Sequence, residues 1–166
     1  MKILLGLGNP GAAYAGTRHN AGKIILSHIA SLLNLEWSTA GFGKYTLIQG
    51  PSPTALCLPA GYMNTCGPAV KLALRHFQIT EKENIFVVHD EMEMKIGRWR
   101  PVESGLSLHG HNGLKSIERS LQGRDRFQRV KIGIGRPLSH DQQDVSDYVL
   151  GKFSEQELDT LRALAK

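Results

Sequence analysis

The chain has 166 residues, 41% of them hydrophobic and 21% charged, and its 20 Lys and Arg against 15 Asp and Glu give a net charge of +5. That length and balance describe one domain spanning residues 1–166 and exclude a disordered chain. No apolar run approaches the ~18 residues that a membrane span needs, so no membrane partner is expected.

Cys57 and Cys66 are the only cysteines, and they are not spaced as a C-x-x-C pair. A disulfide scaffold and a cysteine-based zinc site are therefore excluded. The basic surplus fits a polyanionic partner and fits an ordinary basic enzyme equally well. Met1–Gly6 enters an apolar run directly, without the hallmarks of a signal peptide or an organellar presequence, and the expectation is a cytoplasmic protein.

In chain order, residues 2–7 form a short buried strand closed by glycines. Residues 8–18 are a loop, with turn chemistry at Asn9-Pro10-Gly11. A helix covers about 20–34, where Ile24, Ile25, Ile29, Leu32 and Leu33 recur at helical spacing. Strands at 42–50 and 55–58 flank a proline-rich turn. A helix over 67–78 tolerates Pro68 in its first turn and turns Val70, Leu72, Leu74 and Phe77 inward.

Ile85-Phe86-Val87-Val88 is a continuous apolar run, the mark of a central strand, and it ends at His89-Asp90. A strand at 97–101 and a glycine-rich loop from Gly105 lead into a helix over 113–122. A further strand covers 130–134, and helices lie near 144–150 and 154–165, the last with Ser154 and Glu157 at capping-box spacing. Alternating strands and helices define an α/β layer fold.

Several motifs are decoys. Gly6-Leu7-Gly8-Asn9-Pro10-Gly11 matches the dinucleotide-binding G-x-G-x-x-G, but Gly16 follows and the helix waits until Asn20. The acidic residue about twenty positions on is also missing. Gly105-Leu106-Ser107-Leu108-His109 falls one residue short of a nucleophile elbow. His109 and His111 lack further ligands at recognisable spacing, and Asp90-Glu91-Met92-Glu93 does not fit a calcium loop, so neither a metal nor a cofactor is expected.

The informative pattern is polar residues at loop positions. Asn9 lies where the first strand ends, His19 and Asn20 before a helix, Asn64 before another, Asp90 at the end of a buried strand, and His111-Asn112 at a helix start. In open α/β sheets, ligands bind beyond the carboxyl ends of the strands, so Asn9 and Asp90 are expected at one rim. Each asparagine also reads as an ordinary turn or cap. Together the set offers a base, a carboxylate to hold it and three amides, which suits water attack on a carbonyl.

These same residues carry a resemblance. Gly6–Gly11, Tyr14, Thr17-Arg18-His19-Asn20, Tyr62-Met63-Asn64, His89-Asp90-Glu91, Gly110-His111-Asn112-Gly113-Leu114, Ile132–Pro137 and Val149–Phe153 resemble, in order, the bacterial-type peptidyl-tRNA hydrolases. The resemblance implies a three-layer α/β/α sandwich around a mixed, twisted sheet. It also implies a monomer that cleaves the ester between a peptide and the 3′ end of tRNA. By match of motif, His19 would be the general base and Asp90 would orient it. Asn9, Asn64 and Asn112 would hold the carbonyl and neighbouring amide, with His111 beside them. Tyr14, Tyr62 and Met63 would line the cleft.

Arg98, Arg100 and Lys131 are the candidates for tRNA phosphates, with Val102 standing where the family usually has another basic residue. Glu93 stands where an Asp is usual, and the loop before His111 is less glycine-rich than the common pattern. Past Phe153 the family generally continues with a longer helical tail, so some cleft-lining or tRNA-contacting surface is expected to be absent. Some eukaryotic relatives are mitochondrial, and some bind RNA without hydrolysis. A non-catalytic RNA-binding protein on the same fold is therefore the rival reading.

Overall fold

The computed structural model describes residues 1–138 and 141–166. Seven strands form one sheet: β1 (Lys2–Gly6), β2 (Ser38–Ala40), β3 (Gly43–Ile48), β4 (Thr54–Pro59), β5 (Ile85–Glu91), β6 (Trp99–Val102) and β7 (Gln128–Gly133). Their order across the sheet is β2-β3-β4-β1-β5-β7-β6. The central strands β4, β1, β5 and β7 run parallel, while β3, β2 and β6 add antiparallel edges.

Among the described residues the five α-helices are α1 (Ala21–Leu32), α2 (Gly67–His76), α3 (Asn112–Leu121), α4 (Gln142–Leu150) and α5 (Glu155–Arg162). Helices α2 and α3 bury Val70, Ala73, Leu74, Leu114 and Ile117 against Ile3, Leu5, Val87 and Phe127 on one face of the sheet. On the other face, α1 and α5 bury Ile25, Leu26 and Leu161 against Leu56, Val88 and Ile132. The three-layer α/β/α sandwich with a mixed sheet is thus present, because β1, β4 and the first half of β5 are apolar on both faces and need a helix layer on each.

Some details differ from the sequence pattern. The hairpin partner β2 has no signal of its own, since Ser38-Thr39-Ala40 is mostly exposed and pairs only at the sheet edge. Leu72 is 49% exposed on α2, where Ala73 takes the inward position. Leu32 and Leu33 are 47% and 50% exposed, while Ala30 of the same turn is the residue buried in the core. Strand β5 continues through His89 and Asp90 to Glu91, carried by pairing with β7.

Gly6, the first glycine of the G-x-G-x-x-G stretch, has a packing role together with Gly22. A Cβ on Gly6 would stand 2.8 Å from the Gly22 carbonyl oxygen, and a Cβ on Gly22 would stand 2.0 Å from that of Val88. Only hydrogen at both sites lets α1 lie directly on β1 and β5. Leu7 completes the junction, its N–H donating to Val88 O at 3.0 Å and its carbonyl accepting from Lys23 N at 3.1 Å. This contact carries the turn preceding α1, with His19 in it, to the carboxyl end of β5.

Candidate active site

His19 sits in a single 3₁₀ turn, Arg18–Asn20, ahead of α1. The loop before that turn is stitched to the C-terminal segment. Arg18 N–H donates to Gly151 O and Phe153 N–H to Gly16 O, both at 2.9 Å, and Thr17 bridges Lys152. The Arg18 guanidinium bonds both Glu157 carboxylate oxygens at 3.3 Å and lies 4.3 Å from the centre of the Tyr148 ring.

Asp90 lies one residue before the end of β5, with its side chain 5% exposed. It takes one hydrogen bond on each oxygen: His19 Nδ1 on Oδ2 and His111 Nε2 on Oδ1, both at 2.9 Å. The two imidazoles do different jobs. His111 caps α3, its Nδ1 accepting from the Leu114 N–H at 3.3 Å, so that nitrogen is bare and Nε2 carries the hydrogen given to Asp90. Both nitrogens of His111 are therefore committed. His19 gives its Nδ1 hydrogen to Asp90 and keeps Nε2 without a protein partner among the described residues. Hydrogen bonding thus leaves Nε2 of His19, and no nitrogen of His111, open to accept a proton.

The electrostatics agree with this division. Burial alone would lower the pKa of His19, but the charge and hydrogen bond of Asp90 outweigh it and raise the pKa above its usual 6.5. Burial alone would raise the Asp90 carboxyl, yet His111 and His19 together hold it far below the carboxylate range. His89 points differently, with Nδ1–H donating to Asp90 O at 2.8 Å, and burial drives its pKa down to about 3. It is not a base for this site, since its Nε2 is sealed from solvent and unpartnered.

Asn9 is fixed by groups that the sequence pattern did not single out as its partners. Asn20, only 1% exposed, clamps the Asn9 backbone by accepting from its N–H at 2.9 Å and donating to its carbonyl at 3.0 Å. The Asn9 side-chain oxygen accepts from Met63 N–H at 2.8 Å. That leaves its amide hydrogens as the free end, a donor able to face a carbonyl oxygen. Met63 is 2% exposed and is held against Gly113, where a Cβ would come 2.5 Å from its Cγ.

Tyr14, Tyr62, Asn64 and Asn112 join Asn9, His19, Met63, Asp90 and His111 around one open cleft of about 890 Å³. The Tyr14 and Tyr62 rings meet edge to face with centres 6.2 Å apart. All nine residues expected at the catalytic and substrate positions thus surround the same space. Val145, Ser146 and Val149 of α4 form part of its wall, which the sequence did not reveal because α4 reads as an ordinary surface helix.

The three phosphate candidates lie elsewhere. Arg98 and Arg100 are exposed at and beside β6. Lys131 is 7% exposed on β7, and its ammonium bonds Glu91 at 2.7 Å. Burial would push Glu91 up, but the hydrogen bond from Lys131 leads the interactions that hold it below its ordinary range. Arg129, two residues before Lys131, lines the cleft and was not foreseen. Its signal was the period-two alternation of β7, which puts both cations on one face.

Among the described residues, His19, Asp90 and His111 are also the only trio of possible metal ligands, with ligand atoms within 4.8 Å of one another. An ion there would have to displace the hydrogens that both imidazoles give to Asp90.

An α/β sandwich with a carboxylate-held histidine and amide donors at the strand ends has the equipment of a hydrolase that activates water by general-base catalysis. The comparisons specify the class further. The chain belongs to the peptidyl-tRNA hydrolase family, whose model matches residues 3–166. It is 40% identical over 159 residues to a peptidyl-tRNA hydrolase of Geobacillus kaustophilus, covering 95% of this chain and 83% of that protein. It is 40% identical over 164 residues to one from Rickettsia typhi, covering 97% and 85%. The crystal structure of peptidyl-tRNA hydrolase from Acinetobacter baumannii superposes with a TM-score of 0.86 at 34% identity, covering 99% of this chain and 83% of that one.

Proposed function

We propose that the chain hydrolyses the ester joining a peptide's carboxyl group to the 3′ ribose of tRNA, returning tRNA from prematurely released chains to translation. The observation that carries this reading is the His19–Asp90 pair, with Nδ1 tied to the carboxylate at 2.9 Å and Nε2 left for a water. In the proposed reaction Nε2 takes a proton from water as its oxygen attacks the ester carbonyl. The tetrahedral oxyanion receives hydrogen bonds from the Asn9 and Asn112 amides. The imidazolium then gives its proton to the departing 3′ oxygen, leaving a carboxylic acid and a free tRNA end. Asp90 supports the positive charge while it exists.

Asn64, on the cleft wall, is proposed to pair with the adjoining peptide amide, which an unblocked amino group would not match. Tyr14 and Tyr62 offer ring faces to the terminal base, and stacking serves every tRNA equally. Arg98 and Arg100, with Lys131 in its ion pair, are proposed for phosphates further along the tRNA. The protein would act as a monomer, since one chain supplies base, carboxylate and amides, and it would work in the cytoplasm or in mitochondria. No helix of the described residues is long and apolar enough to cross a membrane.

The test is release of N-acetyl-amino acid from N-acetyl-aminoacyl-tRNA, with unblocked aminoacyl-tRNA alongside and a chelator present. Cleavage of the blocked substrate alone supports the reading. No cleavage of either, with tRNA still bound, would replace it by the RNA-binding alternative.

A further inference from the structure

Arg129 is 3% exposed, and among the described residues no hydrogen bond or ion pair engages its guanidinium. The sealed, unpartnered side-chain atoms are Arg18 Nε, His28 Nε2 and His89 Nε2, so the nitrogens of Arg129 are not walled off. Arg129 is one of the residues lining the cleft of His19 and Asp90. Glu91, the carboxylate whose charge acts on Arg129, already has one oxygen on Lys131 at 2.7 Å and the other on Glu93 N–H at 3.1 Å. Glu91 therefore acts on Arg129 through its charge alone, opposing the loss of proton affinity that burial imposes. A guanidinium keeps its charge under such conditions.

Burying a cation without a hydrogen-bonded partner is unfavourable, and a fold that does so at the wall of a cleft has prepared a place for an anion. Register says how far away that place is. Arg129 pairs with Val87 on β5, three residues before Asp90, which is ~10 Å along the strand at 3.3 Å per residue. Its side chain lies on the His89 face of the sheet, and the residue lines the cleft. A group some ångströms from the scissile ester, carrying a fixed negative charge in every tRNA, is the phosphate on the 5′ side of the terminal nucleotide.

We propose that Arg129 is the anion receptor inside the cleft and takes the 5′ phosphate of the terminal nucleotide, while Lys131 is held back by Glu91. The assignment rests on the hydrolase reading for the identity of the substrate, but the geometry and the test below do not need turnover. Arginine suits the role because its planar fork meets two phosphate oxygens at once.

Titration of the protein with adenosine 5′-monophosphate and with adenosine, followed by NMR shifts, isolates the phosphate. We expect the monophosphate to bind about tenfold more tightly, the effect of one charge-assisted contact. In Arg129→Gln the two should bind alike, and the KM for N-acetyl-aminoacyl-tRNA should rise about tenfold on the same grounds. Arg129→Lys, which keeps the charge for folding but loses the fork, should keep part of the preference. Equal binding of both probes by the unaltered protein would overturn the proposal, as would a preference that survives in Arg129→Gln. N-acetylglycine against N-acetylglycinamide is the second pair of probes. If Arg129 governs that pair instead, the anion is the released peptide's carboxylate and the phosphate assignment fails. A melting temperature that drops while the preference stays unchanged would also overturn it, by making Arg129 structural. Failure of the hydrolase reading would appear separately, as absence of turnover by the unaltered protein.

Discussion

His19 and His111 are equidistant from Asp90, yet only His19 keeps a ring nitrogen open, and the difference is a single backbone N–H. Leu114 occupies the second nitrogen of His111, while the second nitrogen of His19 has no protein partner. Replacing His19 by Ala should lower kcat by about 10²–10⁴, the usual worth of a positioned base. Because Asp90 raises the His19 pKa, the unprotonated form is lost as pH falls through a value above 6.5, and the acidic limb of the kcat/KM profile should lie there. In Asp90→Asn both raising influences disappear and burial remains, so that limb should move to lower pH as the rate drops. A limb left in place would show that another group titrates. At this scale the sequence was legible where residue type dictates role. His19, Asp90 and Asn9 were readable, whereas the clamp by Asn20 depends on a contact across a loop that no periodicity encodes.

Among the elements, α5 shows how a local signal acquires a distant task. Ser154 and Glu157 form the capping box their spacing announced, and the same Glu157 bonds Arg18, the residue before His19. Ser154→Ala should cost about 0.5–2 kcal/mol of stability, measurable in urea. The junction of α1 with the sheet is less forgiving. In Gly22→Ala the new methyl would fall 2.0 Å from Val88 O, and backbone cannot give way there as a side chain would. Overpacking of this kind costs about 1–3 kcal/mol or more, and the displaced helix would carry His19 away from Asp90. Thermal melting together with kcat tests both parts. If Gly22→Ala melts normally and turns over normally, the close approach is not needed.

For the whole molecule, two buried histidines oppose each other in acid. His89 resists protonation down to about 3, whereas the unfolded chain binds that proton near 6.5, so its contribution to stability falls as pH drops through that window. His19 has a raised pKa and works the other way, its contribution being complete below 6.5 and lost as pH rises through the folded value. Asp90, held far below its usual range, adds stability above about 3.8 that disappears in stronger acid. Urea midpoints measured from pH 7 down to pH 4 should therefore fall, and His89→Asn should flatten the decline. A native state without accessible thiols is a further expectation, since burial lifts Cys57 to about 12 and Cys66 to about 11. Labelling by a thiol reagent should follow unfolding and not precede it.

The sequence by itself determined the α/β class, the central strands and the helices in order, the candidate residues that meet around the cleft and the family they resemble. These follow from local chemistry: hydrophobic period, turn residues, caps and motif spacing. Only the tertiary structure decided that His111 is locked as a cap, that Lys131 pairs with Glu91, that Arg129 lines the cleft, and that α4 forms part of its wall. Each of these turns on which partner occupies a side chain's hydrogen-bonding capacity. In a parallel sheet those partners come from strands and loops far apart in the chain, where sequence spacing carries no record of who meets whom.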